Sequence, residues 1–150
     1  MRIVLQRVSR AEVVVEGESV GKIGKGLMLL LGVEDDDSDA DISWLAQKVV
    51  NMRIFDDENG VMNRSVQDVK GEVIVVSQFT LHASTRKGNR PSYIRASKGE
   101  FAEPMYEKFK CEIARLMGKE PAAGRFGADM KCDLLNDGPV TIIIDTKLKE

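Results

Sequence analysis

Ser77, Gln78 and Thr80 come directly after Val73, Ile74, Val75 and Val76, an unbroken β-branched run. Such a run marks a strand buried on both faces. Hydrogen-bonding side chains are therefore delivered where a core strand meets an open edge. Polar groups in that position need partners, from the protein or from a ligand. One reading is that they satisfy neighbouring backbone. The other is a pocket floor in which hydroxyls and backbone N–H groups receive a ligand. The next stretch, 84–98, shifts the balance toward the pocket. It carries Arg86, Lys87, Arg90, Arg95 and Lys98 with no acidic residue, and a long loop in a compact domain is uncommon unless it has a function.

His82 is the one histidine, so any Ser-His-Asp triad would have to be built on it. Read as strand residues, Thr80 and His82 point to the same side. That leaves a Thr-His dyad open, against the plainer reading of His82 as an incidental edge residue. Cys111 and Cys132 are widely spaced and outside any CxxC or histidine-containing ligand cluster; they read as reduced thiols rather than a metal site. Residues 34–41 hold six carboxylates but lack the glycine and glutamate spacing of a calcium loop. They read instead as a helix start, capped by Ser38 or Asp39, with acids complementing the helix dipole. Phosphate-binding glycine loops are absent as well, so neither a metal nor a cofactor is expected. What remains suits hydrolysis of an already activated bond, which needs orientation, a positioned water and a donor for the developing oxyanion.

Two of these stretches resemble the signatures of the D-aminoacyl-tRNA deacylases: Ser77-Gln78-Phe79-Thr80-Leu81 and Asn136-Asp137-Gly138-Pro139-Val140-Thr141. Gly88-Asn89-Arg90-Pro91-Ser92 and Phe126-Gly127-Ala128-Asp129-Met130 are similar to further family segments, in the same order. The resemblance spans nearly the whole chain. It implies a cofactor-free homodimer of β/β/α layers that hydrolyses the ester of tRNA carrying a D-amino acid, or glycine, and rejects the L ester. Ser77, Gln78, Phe79 and Thr80 would form the catalytic pocket, with Thr80 positioning rather than attacking and the 2′-hydroxyl of the terminal adenosine assisting. Phe126 and Met130 would pack on the adenine, although a purely core role reads equally well. The resemblance also implies a cis bond at Gly138-Pro139, inserted into the pocket of the other subunit to exclude L side chains, with Arg7 buttressing it. Without the resemblance, Arg7 reads as a solvated strand charge. Arg86, Lys87, Arg90, Arg95 and Lys98 would meet acceptor-stem phosphates without much sequence preference; Arg90 also reads as structural beside Pro91.

The elements that must position these groups follow from periodicity. The length of 150 residues suits one domain, 1–150. A net charge of −2 argues against non-specific nucleic-acid coating but leaves room for a local basic patch. The start of the chain does not read as a signal peptide, and the longest apolar run, 27–31, is far too short to cross a membrane. A cytoplasmic protein is expected. Alternation and the Glu16-Gly17-Glu18 turn signal give a hairpin, and 27–33 reads as a central strand. Ile42, Leu45, Ala46 and Val49 form a helical face ending near Met52. A second helix is expected over 101–117, with Pro104 in its first turn and Gly118 just past its end. Residues 129–135 and 140–145 read as two final strands. The fold class is α/β: a single β-rich mixed-sheet domain with two main helices packed on the sheet. Competing functions are a non-catalytic nucleic-acid-binding module on the same fold and a small-ester hydrolase using Thr80 and His82.

Overall fold

The computed structural model describes residues 1–149. Its frame is β1 (Arg2–Val15), a 14-residue strand long enough to take partners along both edges. On one edge β3 (Gly26–Gly32) pairs antiparallel with its first half and β2 (Glu18–Ile23) with its second. On the other edge β8 (Lys131–Asp145) runs antiparallel along the full length. The expected hairpin joins β1 to β2 through Glu16 and Gly17, both at positive φ (50° and 80°), the backbone that matches strand twist in a tight hairpin.

β6 (Glu72–Ser77) continues the sheet parallel to β3, and β7 (Ala122–Ala123) adds a short parallel edge to β6. The sheet curls until β7 faces β2. A Cβ on Gly21 would stand 2.5 Å from the Ala123 carbonyl oxygen, so only glycine permits this approach. Curling produces two cores. Val8, Ala11, Val13, Ile23, Met28, Ile74 and Val76 fill the inside of the curl. Leu27, Leu29, Leu31, Val73 and Val75 face the helices. The β-branched run is thus buried on both faces, as its composition requires.

Two helices cover the outer face. α1 (Asp39–Asn51) starts at Ser38, whose backbone N–H and hydroxyl both donate to the Asp41 carboxylate, at 2.9 and 2.8 Å. It buries Ile42, Leu45, Ala46, Val49 and Val50. α2 (Gly99–Met117) buries Ala102, Met105, Tyr106, Phe109 and Ile113 and stops at Gly118, which takes φ 66°. Because α2 begins at Gly99, Pro104 lies inside the helix rather than in its first turn. A small hairpin of β4 (Phe55–Asp56) and β5 (Met62–Arg64) lies apart from the main sheet. Among the described residues, no helix is long and apolar enough to cross a membrane.

Two expectations about strands are corrected. The organising strand does not run through His82. The β3–β6 ladder ends near Leu31 and Ser77, with one further bond from the Gln78 N–H to the Leu31 carbonyl (2.8 Å). Without a partner strand beyond that point, Phe79–His82 tighten into a 3₁₀ turn. Nor are there two final strands. β8 is continuous because β1 offers partners on both sides of the interruption, Gln6 to Thr141 and Val8 to Asn136. The residues between them bulge, and Asn136 holds the bulge together: its Nδ2 donates to Thr141 Oγ1 (3.0 Å) and its Oδ1 accepts from the Val140 N–H (3.2 Å).

Candidate active site

At the polar end of β6 the curled sheet opens into a cavity of about 310 Å³. Ser77, Gln78 and Phe79 form one side of it. Leu31, Val33 and Val76 continue that side, Ser97 comes from just before α2 and Ala102 and Tyr106 from its first half, and Phe126 and Met130 come from the approach to β8 and Cys132 from its start. The location follows from topology, since ligands in open α/β sheets sit beyond the carboxyl ends of parallel strands. The lining is mostly apolar with a few convergent polar groups, the usual make-up of a site for a small organic group.

Gln78 is fixed from within: its Nε2 donates to Thr80 Oγ1 at 2.6 Å. Thr80 is therefore part of the support beneath the wall and does not itself line the cavity. No hydrogen bond among the described residues engages the backbone N–H of Phe79 or Thr80. The first donors of a tight helical turn have no intrahelical acceptor, and of these two residues Phe79 borders the cavity. Tyr106 packs against Phe126, with ring centroids 5.8 Å apart, and donates its hydroxyl to the Val75 carbonyl at 2.8 Å. Burial, and then the nearby Glu107 charge, pushes its phenol well above the usual range. The pocket wall on that side is therefore neutral.

The Thr-His dyad is excluded by position. His82 is fully buried, and neither ring nitrogen has a hydrogen-bond partner among the described residues. It is therefore no incidental edge residue either. Its Nδ1 lies 3.4 Å from Glu34 Oε1, and its ring covers Gly32, where a Cβ would come within 2.9 Å of it. The 3₁₀ turn, which periodicity does not signal, directs this side chain inward, against Gly32 and Glu34.

Glu34, Asp36 and Asp37 offer carboxylate oxygens within 4.8 Å of one another. Their charges are already met: Asp37 receives the Met1 amino group and Lys147, and Glu34 Oε1 receives Nε and Nη2 of Arg95 at 3.1 and 2.8 Å. The cluster is better described as an ion-pair network that fixes the α1 entry and the basic loop than as a cation site. Arg95 is held there rather than free for a phosphate. Arg86, Lys87 and Arg90 are exposed, and among the described residues none is paired with a carboxylate.

Gly138 and Pro139 lie on the exposed bulge of β8, outside the cavity of their own chain, and the bond between them is cis. Arg7 is not solvated. It is 8% exposed and sits under the bulge, with Nε donating to the Asp137 carbonyl (3.0 Å) and Nη1 to that of Ile54 (2.6 Å). Asp56 and Asp137 carboxylates flank it at 3.5 and 3.7 Å. The structure thus brings together Ser77, Gln78, Phe79, Phe126 and Met130, and separately Arg7, Gly138 and Pro139. Ser97, Ala102, Tyr106 and Cys132 were not anticipated in the lining. Tyr106 alone carried a signal, as a hydroxyl within an apolar helical stripe that must find a partner when buried.

Fold and cavity together define a curled mixed-sheet protein with a pre-formed cleft for a small, partly apolar group beside a cationic loop. A family profile described as D-Tyr-tRNA(Tyr) deacylase matches residues 4–145. A protein of Bacteroides thetaiotaomicron named D-aminoacyl-tRNA deacylase is 60% identical over 150 residues, covering all of both chains. Among solved structures, one titled c-Myc DNA Unwinding Element Binding Protein superposes with a TM-score of 0.91 at 38% identity, covering 97% of this chain and 99% of that one. A probable eukaryotic D-amino acid tRNA deacylase superposes with a TM-score of 0.82 at 16% identity, covering 95% and 97%, and so attests the fold alone. The chain belongs to the D-Tyr-tRNA(Tyr) deacylase family.

Proposed function

We propose that this protein hydrolyses the ester bond of D-aminoacyl-tRNA, and of glycyl-tRNA, releasing free tRNA and the amino acid while leaving L-aminoacyl-tRNA intact. The observation that carries this reading is the cavity at the end of β6, bounded by Ser77, Gln78 and Phe79, in a chain matched end to end by D-aminoacyl-tRNA deacylases. Phe126 and Met130 take the terminal adenine against their apolar surfaces. The ester carbonyl faces the start of the 3₁₀ turn, where the uncommitted N–H of Phe79 meets the developing oxyanion. Thr80 acts by fixing Gln78, and the vicinal 2′-hydroxyl of the adenosine assists the attacking water. Neither a metal nor a cofactor takes part. Arg86, Lys87 and Arg90 meet backbone phosphates.

Selectivity rests on a homodimer. Gly138 and Pro139 are exposed and outside their own cavity, on a strand whose surface also carries Leu135 (53% exposed) and Ile143 (68% exposed). A second copy that covers this surface inserts the Gly138-Pro139 bulge into the neighbouring cavity and excludes an L side chain. Discrimination by exclusion leaves glycine, which has no side chain, as a substrate. The protein is expected to act in the cytoplasm, where aminoacyl-tRNA is made and used.

The test is release of amino acid from matched D-tyrosyl-, L-tyrosyl- and glycyl-tRNA in the presence of a chelator. Hydrolysis of the D and glycyl esters with survival of the L ester is expected. Equal cleavage of D and L would remove the role given to Gly138-Pro139. The name of the DNA-associated relative at 38% identity gives a second reading, a nucleic-acid-binding module without catalysis. Binding of tRNA with no release from any ester would favour it.

A further inference from the structure

At the mouth of the cavity stand two aromatic rings that the chemistry above does not use fully. Phe79, which borders the cavity, leaves 55% of its surface exposed, and Tyr93 leaves 42%. Their ring centroids are 5.2 Å apart with the planes at 75°, an edge-to-face pair. Such a pair leaves ring surface open to a further flat partner. Ile94 beside them is 91% exposed.

The support beneath this patch is firm. Ser84 and Ser92 exchange both backbone hydrogen bonds, at 2.8 and 2.9 Å, closing the basic loop just before Tyr93. The Ala96 N–H returns to the Tyr93 carbonyl at 3.0 Å, and the Ser97 N–H reaches the Val33 carbonyl at 2.9 Å. Arg95 is tied to Glu34. Tyr93 is therefore presented by a segment held on both sides, with the unpaired cations Arg86, Lys87 and Arg90 in the same loop. Exposed aromatic faces next to a cationic track are how proteins hold single-stranded nucleic acid: bases stack on the rings while phosphates follow the charge.

We propose that Phe79 and Tyr93 form a stacking platform for the unpaired nucleotide immediately 5′ to the terminal adenosine of the substrate tRNA. The inference rests on the deacylase reading, which places that adenosine in the cavity and so brings the preceding base to its mouth. The single-stranded 3′ end fits better than a duplex, because base faces are available only where bases are unpaired. Stacking accepts any base, so the platform contributes affinity and orientation without sequence preference.

The test compares two substrates of the intact protein: D-tyrosyl-tRNA, and D-tyrosyl-adenosine esterified at the 3′ position, which lacks the preceding nucleotide. Tyr93→Ala is expected to raise KM for D-tyrosyl-tRNA by about tenfold, the loss of roughly one stacking contact. Its kcat/KM on D-tyrosyl-adenosine should stay within about twofold of wild type, and Tyr93→Trp should restore KM for the tRNA, since any aromatic face serves. Unchanged KM for the tRNA would overturn the platform. An equal loss on both substrates would overturn it too, and a lowered mass in sedimentation would then identify Tyr93 as a contact between copies of the chain. Hydrolysis of neither substrate by the wild-type protein would sink the deacylase reading itself, whereas wild-type cleavage of both with an indifferent Tyr93→Ala sinks this inference alone.

Discussion

Gly138 lies against the end of the Arg7 side chain so closely that a Cβ on it would come within 2.9 Å of Arg7 Nη2. The same guanidinium binds the carbonyl of Asp137, one residue earlier, and that of Ile54. One buried cation on β1 therefore ties the β8 bulge to the segment after α1. Replacing Arg7 with alanine leaves the buried Ile54 carbonyl and the part-buried Asp137 carbonyl without their charged donor, which should cost about 2–3 kcal/mol in urea unfolding. Arg7→Lys should recover only part of this, because an ammonium cannot reproduce a planar fork. Release from D-tyrosyl-tRNA should fall as well, at a temperature where the variant remains folded. Full activity there would separate Arg7 from the work of the Gly138-Pro139 bulge.

Thr80 Oγ1 accepts from Gln78, and His82, which could have served as its base, is buried elsewhere without a hydrogen bond. An attacking hydroxyl needs an adjacent base, so Thr80→Ala should slow single-turnover release from D-tyrosyl-tRNA by no more than about tenfold. Loss of a true nucleophile costs on the order of 10⁴-fold or more. A fall of that size would restore Thr80 as the attacking group.

The contrast between Val73–Val76 and residues 79–82 shows what the sequence could reveal. A continuous β-branched run has one economical fate, burial on both faces, and Ile74 and Val76 do face one core while Val73 and Val75 face the other. The apolar stripes of α1 and α2 were legible for the same reason. Strand periodicity misplaces His82 because the pattern carries on past the point where β3 stops offering hydrogen bonds, and that limit is set by a strand more than forty residues earlier. Likewise, the final two-strand reading followed local turn chemistry, while β1 supplied a partner long enough to keep β8 continuous. The site was legible as residue types at the end of a buried strand. Ala102 and Ser97 enter it only through the packing of α2 and the segment before it, which no local pattern encodes, while Tyr106 shows in the sequence only as a buried hydroxyl in need of a partner.

Acid should weaken the fold through Asp41 and Asp145. Burial opposes ionisation of both, but hydrogen bonds outweigh it: Thr146 and Ser38 at Asp41, the Lys147 N–H and Arg2 at Asp145. Both carboxyls titrate lower in the folded chain than in the unfolded one, where Asp lies near pH 4. Their contribution is therefore fully present above about pH 4 and is lost as the pH falls below it toward the folded values. The urea midpoint should drop over that range. Asp41→Asn should start lower at neutral pH and fall less steeply in acid. An identical acid slope in the variant would show that Asp41 is not among the groups responsible.

Tyr106 supplies the sharpest separation of support from chemistry, because it lines the cavity yet spends its proton on the Val75 carbonyl. With its phenol pushed far above the usual range by burial, it is expected to stay neutral at neutral pH. It can be neither the general base nor a group whose ionisation shapes the rate. Tyr106→Phe removes one buried hydrogen bond, leaving the Val75 carbonyl without this donor, and should cost about 1 kcal/mol of stability. The ring survives, so its packing on Phe126 and the shape of the cavity wall survive with it. The pH dependence of kcat for D-tyrosyl-tRNA should therefore superimpose on that of the wild type, with a change in KM of less than about threefold, since the ring face that meets the substrate is unaltered. Loss of an alkaline limb in the variant would mean that the phenol does ionise during turnover and that this wall of the cavity is not neutral.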